Sequence, residues 1–212
     1  MPGEVYIGGH SLGAAEAYEY AFSRIKRGLR VDGIYCLAPP RPGDSVLAST
    51  LLAAVTVARA LKNRRDVVPS VPVDIAWMNE EYVQPYPFEE INEKPTTIGL
   101  FADHNINLYA AGAQKLKPLG VSVEIGEAAT QIARLYIDAT GWDWINPVNG
   151  RYWAMKIMPS GAKLMIRRGS VAVEDWLMDF DAIQIPVLGA QVSRGFWSGV
   201  QPVESVMDQQ LA

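Results

Sequence analysis

The chain has 212 residues, of which 49% are hydrophobic and 20% charged, and its formal net charge is −4. This composition is typical of a globular domain of ordinary α/β size, large enough to bury a substantial core. Basic residues are dispersed along the chain, so the charge pattern does not favour nucleic-acid binding. The first residues lack the features of a signal peptide and no apolar run approaches ~20 residues, so we expect a soluble protein without a transmembrane segment.

Strands and helices are predicted to alternate along the chain, which favours an α/β sheet. In the N-terminal half we predict strands over residues 4–7, 31–37 and 53–60, and helices over residues 12–27, 45–52 and 105–115. Residues 67–92 are rich in proline and predict a loop around a short segment. Further along we predict a second amphipathic helix over 126–140, a hairpin of strands over 152–158 and 162–167, and a last helix over 203–211.

The first predicted strand runs into the sequence Gly9-His10-Ser11-Leu12-Gly13, a G-x-S-x-G motif placed between a strand and a helix. This context is that of a nucleophile elbow, a sharp turn that needs small residues on both sides of the serine. The helix N-terminus would direct backbone N–H groups towards a developing oxyanion. The alternative is a glycine-rich turn that lets a helix pack closely. Only ten residues precede Ser11, so other strands of its sheet must come later in the chain.

A serine nucleophile needs a general base, and the chain has two histidines. His10 lies within the elbow itself, where its side chain is expected to point away from the serine hydroxyl. His104 lies where a loop is predicted to enter a helix, a position from which an imidazole can reach across the end of a sheet. We therefore predict His104 as the base.

The acid that would orient the histidine is predicted from its place in the chain. Between the nucleophile and the base, the aspartates we consider are Asp32, Asp44, Asp66 and Asp74. In an α/β-hydrolase the acid follows a later strand, and Asp66 fits because it comes shortly after the strand predicted over residues 53–60. The alternative is that Asp66 is a solvated acid paired with a neighbouring arginine. Asp103 is adjacent to His104, so we expect the two side chains to diverge.

Several segments together resemble the class 3 lipase family, the fungal-type α/β-hydrolase lipases. Residues 5–15 look like the family's elbow, and residues 38–44 resemble the proline-arginine-glycine turn after its next strand. Residues 63–72 are similar to the segment that carries the acid, and residues 103–109 to the segment that carries the histidine. The resemblance implies an α/β-hydrolase-like fold, a mostly parallel sheet flanked by helices, with a Ser11, Asp66 and His104 triad.

The resemblance continues in an unexpected order along the chain. Residues 164–170 and 175–180 look like the strand, oxyanion residue and lid-region segment that family members carry before the nucleophile. Residues 191–196 resemble the next motif, with Ser193 in place of the usual histidine. This order implies a single α/β-hydrolase domain over residues 1–212 that is circularly permuted. Residues from about 3 to 115 correspond to the family's back half and residues from about 121 to 212 to its front half, joined through an exposed connection over residues 114–122.

The remaining site residues follow from the elbow and from the resemblance. The Leu12 backbone N–H and, by resemblance, Ser170 would bind the oxyanion. Apolar residues that could line an acyl pocket, or instead belong to the core, are Trp176, Leu177, Phe180, Phe196 and Trp197. We expect no metal and no other cofactor.

These predictions combine into a function. We expect a serine carboxylic-ester hydrolase, an esterase or lipase of lipid metabolism, that acts through an acyl-enzyme on small or medium acyl esters. A small-molecule or lipid ester is then the partner, and either a monomer or a swapped dimer is compatible with the permuted order. The alternatives are a non-catalytic lipase-like binding module, or an acyltransferase or serine peptidase that uses the same three residues.

Overall fold

The computed structural model describes residues 3–72, 81–99, 101–148, 151–169 and 183–212. Within these ranges the strands are β1 (Val5–His10), β2 (Gly33–Leu37), β3 (Val57–Asn63), β4 (Phe88–Ile91), β5 (Trp144–Val148), β6 (Arg151–Ile157), β7 (Lys163–Arg167), β8 (Gln184–Val187) and β9 (Ala190–Ser193). The helices are α1 (Leu12–Lys26), α2 (Ser45–Ala54), α3 (Ile106–Ala113), α4 (Ile125–Arg134), α5 (Arg194–Val200) and α6 (Glu204–Leu211). Two short 3₁₀ turns cover Val68–Ser70 and Ala102–His104.

Seven of the described strands form one sheet in the order β4-β3-β2-β1-β7-β6-β5. The five strands from β4 to β7 are parallel to one another, and β6 and β5 continue the sheet in antiparallel fashion. Strands β8 and β9 form a separate antiparallel hairpin. A mostly parallel sheet flanked by helices confirms the predicted α/β fold class.

Strand β1, which leads into Ser11, lies at the centre of the sheet between two strands that are far apart in the sequence. On one side it pairs with β2, and on the other with β7, where Tyr6 is opposite Leu164 and Gly8 opposite Ile166. The predicted hairpin is confirmed as β6 and β7. Its second strand, β7, is the neighbour of β1 that comes later in the chain, as expected. Every residue of β1 is buried, as expected for a central parallel strand.

Each face of the sheet carries its own apolar core because successive side chains of a strand point to opposite faces. Val5 and Ile7 face a core built with α1, α2, α5 and α6. Tyr6 faces a second core built with α3 and α4. Helix α1 is buried from Leu12 to Arg24, so it is an internal helix, and Gly28 with φ 74° follows its last turn.

Two predicted element boundaries were wrong for local reasons. The helix predicted over 126–140 ends at Arg134, because the Asp138 carboxylate accepts the backbone N–H of Thr140 at 2.7 Å and forms a competing turn. Residues 53 and 54 were predicted as strand but complete α2, and β3 begins at Val57. Alanine favours a helix, so Ala53 and Ala54 extend α2, and only the later part of the apolar run forms β3.

The elements missed from the sequence lie mainly at the sheet edges. Strands β4 and β5 are the two edge strands, and β5 contains Pro147, a residue that edge strands tolerate. The hairpin of β8 and β9 and the short helix α5 were also missed. Edge strands are short and half-exposed, so they carry a weaker apolar pattern than the central strands.

Glu19 of α1 is fully buried, and this gives a stability prediction. Burial, with the nearby Glu16, raises the pKa of Glu19 well above its ordinary value. The folded state then holds a proton that the unfolded state releases near pH 4.5, so the free energy of unfolding should fall as pH rises above that value. We expect Glu19→Gln to remove a slope of up to about 1.4 kcal/mol per pH unit and to stabilise the protein at pH 7.

Urea unfolding of the wild type and of Glu19→Gln between pH 4 and 8 measures this slope. Glu90→Gln, at an exposed position of β4, is the matched control and should keep the wild-type slope. Equal slopes for wild type and Glu19→Gln would contradict a protonated Glu19.

Among the described residues, no helix combines the length and the apolar character that a bilayer crossing requires.

Candidate active site

Ser11 occupies a strained turn at the carboxyl end of β1. Its backbone has φ 60° and ψ −133°, a combination that is unfavourable for a residue with a side chain. The glycines on either side permit this turn, because a Cβ on Gly9 would strike the Gly13 carbonyl and a Cβ on Gly13 would lie 2.5 Å from the Arg167 carbonyl oxygen. The strand, strained serine and helix therefore have the geometry of a nucleophile elbow.

The turn is tied to the sheet and opens a helix. The Ser11 backbone N–H donates to the Leu37 carbonyl at 2.9 Å, which continues the pairing of β1 with β2 past the strand end. Leu12 is the first residue of α1, so its N–H has no acceptor within the helix. That N–H belongs to the residue directly after the serine, the usual position of one oxyanion donor in this class of elbow.

His104 contacts the serine hydroxyl. Its Nε2 lies 2.8 Å from Ser11 Oγ, although the two residues come from opposite ends of the N-terminal half of the chain. His104 ends the 3₁₀ turn Ala102–His104, just before α3, so the loop-to-helix position predicted from the sequence is where the structure has it. Both side chains are about 3% exposed.

The other imidazole nitrogen contacts Asp66. His104 Nδ1 lies 2.7 Å from Asp66 Oδ2, and the Asp66 residue is 1% exposed. A carboxylate accepts only, so Nδ1 carries the proton and Nε2 is free to accept the hydrogen of the Ser11 hydroxyl. The solvated alternative for Asp66 was wrong, because this side chain is buried.

Two further donors hold the Asp66 carboxylate, and one of them was not expected from the sequence. The Val68 backbone N–H donates to Oδ1 at 3.0 Å, and the Tyr109 hydroxyl donates to Oδ2 at 2.6 Å. Tyr109 in turn accepts the N–H of Asn63 at 2.9 Å. Burial, together with the charge of Asp66, raises the pKa of Tyr109, so the phenol keeps the proton that it donates.

His10 does not contact the serine hydroxyl. Its Nε2 lies 3.1 Å from the backbone carbonyl oxygen of His104, and its Nδ1 lies 2.9 Å from the hydroxyl of Tyr136. Burial lowers the pKa of His10 well below its ordinary value, and the neighbouring His104 acts in the same direction. His10 is therefore a neutral neighbour of the site.

The other acids considered from the sequence have separate structural partners. Asp32 accepts the Val5 backbone N–H at 2.8 Å and pairs with Arg30, at the opposite end of β1. Asp44 caps α2 by accepting the N–H groups of Val46 and Leu47, both at 3.0 Å. Asp103 approaches Arg64 at 3.5 Å and diverges from His104 as expected. Asp74 lies outside the described residues.

The predicted oxyanion and pocket residues are only partly described. Ser170, Trp176, Leu177 and Phe180 lie outside the described residues. Gly169, which precedes Ser170, is close to the elbow, because a Cβ on Gly169 would lie 2.9 Å from Ser11 Cβ. Phe196 of α5 is fully buried and belongs to the same small apolar cluster as Leu12, the residue after Ser11. Trp197 faces the main core instead, so the core alternative holds for that residue.

The fold and the elbow together define a class of protein. A mostly parallel sheet flanked by helices, with a strained serine between a central strand and a buried helix, is the arrangement of the α/β-hydrolase-like fold. A family model described as Lipase (class 3) matches residues 3–75, which confirms the resemblance of this segment to the class 3 lipases. At the level of the family, the match supports a hydrolase of the lipase or esterase type.

The matched segment contains Ser11 and Asp66 but ends before His104. His104 therefore joins the site through its contacts with both residues, independently of the match. No curated protein and no solved structure matches the chain.

Proposed function

We propose that this protein is a serine carboxylic-ester hydrolase that acts through an acyl-enzyme. The observation that carries the proposal is the continuous contact from Ser11 Oγ to His104 Nε2 and from His104 Nδ1 to Asp66 Oδ2, at 2.8 and 2.7 Å. Three side chains from separate segments meet in the order that nucleophilic acyl transfer requires. The strained elbow beneath the serine supports the same conclusion.

In the proposed reaction, Ser11 Oγ attacks the ester carbonyl carbon while its proton passes to His104 Nε2. The tetrahedral intermediate collapses, the bond to the alcohol oxygen breaks, and the alcohol leaves with the proton from Nε2. Water then attacks the acyl-enzyme with His104 again as base, and the carboxylic acid leaves Ser11 regenerated. Throughout, Asp66 keeps the proton on Nδ1 and stabilises the imidazolium, and it remains ionised.

The oxyanion of each intermediate needs donors close to Ser11. We assign the backbone N–H of Leu12 to this role, because it opens α1 without an intrahelical acceptor. The resemblance to the lipase family assigns the second donor to Ser170, and the closeness of its neighbour Gly169 to Ser11 supports that assignment. Removal of one such donor costs about 10²–10³ in turnover in a comparable hydrolase.

The substrate class follows from the chemistry of the site and from the sequence. Leu12, the residue after Ser11, belongs with Phe196 to a small buried apolar cluster, and an apolar surrounding of the serine supports an acyl group as the bound part of the substrate. The sequence offers no long segment that could fold as an independent lid, so we propose small or medium acyl chains. A series of p-nitrophenyl esters from acetate to palmitate should give its highest kcat/KM at a short or medium chain.

A fluorophosphonate probe tests the nucleophile directly, because it reacts with an activated serine and not with an ordinary hydroxyl. We expect covalent labelling of one serine, located at Ser11 by peptide mass spectrometry, and loss of labelling in Ser11→Ala. Ser49→Ala, at an exposed position in α2, is the matched control and should label fully. A folded wild type that fails to label would favour a non-catalytic binding module.

We also propose that the chain is one α/β-hydrolase domain in permuted order. Lys163 links the two ends of the described chain, since its backbone N–H donates to the Glu4 carbonyl at 2.8 Å and its Nζ donates to the Gln210 carbonyl at 3.2 Å. The connection between α3 and α4, which the permuted order treats as the join, is mostly exposed.

The permuted order can be tested by reversing it. We expect a chain that begins near residue 121, with residue 212 joined to residue 3 by a short glycine-serine linker, to fold and to keep its ester hydrolysis. The measurement is thermal denaturation together with kcat/KM on p-nitrophenyl butyrate. An insoluble or inactive reordered chain would contradict the proposal.

A further inference from the structure

The hydroxyl of Tyr136 lies between two groups of the site that come from different strands. It is 2.9 Å from His10 Nδ1, at the end of β1, and 2.9 Å from the backbone nitrogen of Gly169, just beyond β7. The opposite nitrogen of the same imidazole, His10 Nε2, is 3.1 Å from the carbonyl oxygen of His104. A chain of three hydrogen bonds therefore runs from Gly169 through Tyr136 and His10 to His104.

The direction of each bond follows from the donors and acceptors available. The His104 carbonyl only accepts, so His10 Nε2 carries the proton, and the neutral ring leaves Nδ1 as an acceptor. Tyr136 then donates its hydroxyl proton to Nδ1 and accepts the N–H of Gly169 on its oxygen. Burial is the chief cause of both the lowered pKa of His10 and the raised pKa of Tyr136, and both shifts agree with hydrogen bonds between neutral side chains.

The packing around this series of hydrogen bonds leaves no room for a residue larger than glycine at position 169. A Cβ on Gly169 would lie 2.6 Å from the His10 carbonyl oxygen and 2.9 Å from the Tyr136 hydroxyl. The rings of His10 and His104 are 4.7 Å apart between centroids, and those of His10 and Tyr136 are 5.7 Å apart. Gly169 and the rings of His10 and Tyr136 are therefore held at contact distance beside the elbow.

His104 needs such support because of its place in the chain. It ends a three-residue 3₁₀ turn, and the next helix begins only at Ile106, so neither a strand ladder nor an α-helix fixes its carbonyl. The bond from His10 fixes this carbonyl relative to β1, the strand that carries Ser11. Small displacements of a catalytic group reduce turnover strongly, so this link bears on rate.

We propose that Tyr136 and His10 are positioning residues, which hold the main chains of His104 and Gly169 in register with Ser11. The proposal rests on the hydrolase function proposed above. Tyr136 lies just after α4, so it also connects the helix layer on one face of the sheet to the reacting groups at the strand ends. Neither residue contacts the serine hydroxyl, and neither takes part in proton transfer.

The test compares two tyrosine-to-phenylalanine variants that each lose one hydrogen-bonded hydroxyl. Tyr136→Phe should lower kcat on ester substrate by about 10- to 100-fold with KM within about twofold of wild type. Tyr35→Phe loses a buried hydroxyl that donates to the Val123 carbonyl at 2.5 Å, far from the reacting groups, and should leave kcat unchanged. Thermal denaturation of both variants establishes that each is folded.

Nitrogen-15 NMR chemical shifts of the imidazole rings report on the hydrogen bonds of His10 and His104 directly, and a general loss of stability would not change them. In the wild type we expect the His10 Nδ1 signal of an unprotonated, hydrogen-bonded nitrogen, and in Tyr136→Phe the shift of a nitrogen that has lost its donor. The downfield proton on His104 Nδ1 should shift in the same variant. Tyr35→Phe should change none of these signals.

A double-mutant cycle separates action through His10 from independent effects. His10→Gln keeps an amide donor for the His104 carbonyl but has no atom at the position of Nδ1, where Tyr136 donates in the wild type, so Tyr136→Phe should cost less in that background. An unchanged kcat in Tyr136→Phe, equal losses in both tyrosine variants, or full additivity with His10→Gln would each overturn the proposal. If the wild type hydrolyses no ester, the hydrolase proposal fails, and unchanged His10 signals in Tyr136→Phe would separately reject the hydrogen-bond chain.

Discussion

Ser11→Ala and His104→Ala should each reduce ester hydrolysis by on the order of 10⁶-fold while leaving the fold intact, because members of a triad act as one unit. The Ser11 hydroxyl would pass its proton to His104 Nε2, which lies 2.8 Å away. Loss of either side chain therefore removes the same proton transfer. The double variant should therefore be no slower than either single variant. Steady-state kcat/KM on a p-nitrophenyl ester measures all three, with circular dichroism to verify folding.

Ser49→Ala serves again as the control, since it removes an equivalent hydroxyl from an exposed helix position. Normal turnover in Ser11→Ala or in His104→Ala would reject the assignment of that residue. Additive losses in the double variant would mean that the two side chains contribute separately and that the contact between them has no catalytic meaning.

Asp66→Asn should cost about 10⁴ in kcat, the loss seen when a triad acid becomes an amide that favours the wrong imidazole tautomer. The change preserves the size of the side chain, but Val68 donates to Oδ1 and Tyr109 donates to Oδ2, so the amide nitrogen replaces the acceptor of one of them. The effect should fall chiefly on kcat, with little change in KM and a modest loss of thermal stability. The measurement is the full kinetic profile of the purified variant beside its melting curve.

Asp44→Asn is the matched control for the acid. Asp44 caps α2 through Oδ1 and accepts the Gln191 N–H on Oδ2, and neither bond involves Ser11, Asp66 or His104. Asparagine caps a helix about as well as aspartate, so this variant should keep its activity even if the lost acceptor for Gln191 lowers its stability. If Asp44→Asn lost activity and Asp66→Asn did not, the acid assignment would be wrong.

The parts of the site that could be predicted from the sequence are those with a local pattern. The elbow consists of five consecutive residues, and the strand and helix that flank it were both predicted. The strand was predicted over residues 4–7 and runs over Val5–His10, because Gly8, Gly9 and His10 do not continue its apolar pattern. His104 could be predicted as the base because the chain has only two histidines and the other, His10, lies within the elbow. Asp66 followed from its place after a strand, and the structure brings it into contact with His104.

The supporting residues could not be predicted in the same way. Tyr109 is the last residue of the segment over 103–109 that resembles the family's histidine segment, but its bond to Asp66 depends on how α3 packs against β3. Tyr136 was placed inside a predicted helix, although it lies in the turn after α4 with its hydroxyl directed at His10. A tyrosine that donates one long-range hydrogen bond leaves no periodic signal, so only the fold identifies it.

The central position of β1 has a consequence for how the protein acquires its structure. The strand is synthesised well before one of its two partners, β7, at residues 163–167. Until that segment leaves the ribosome, one edge of a strand that is fully buried in the folded protein has unpaired N–H and C=O groups, a condition that favours association with other chains. Pairing over such a sequence separation is slow, so a chaperone that shields the nascent chain should raise the yield of soluble protein.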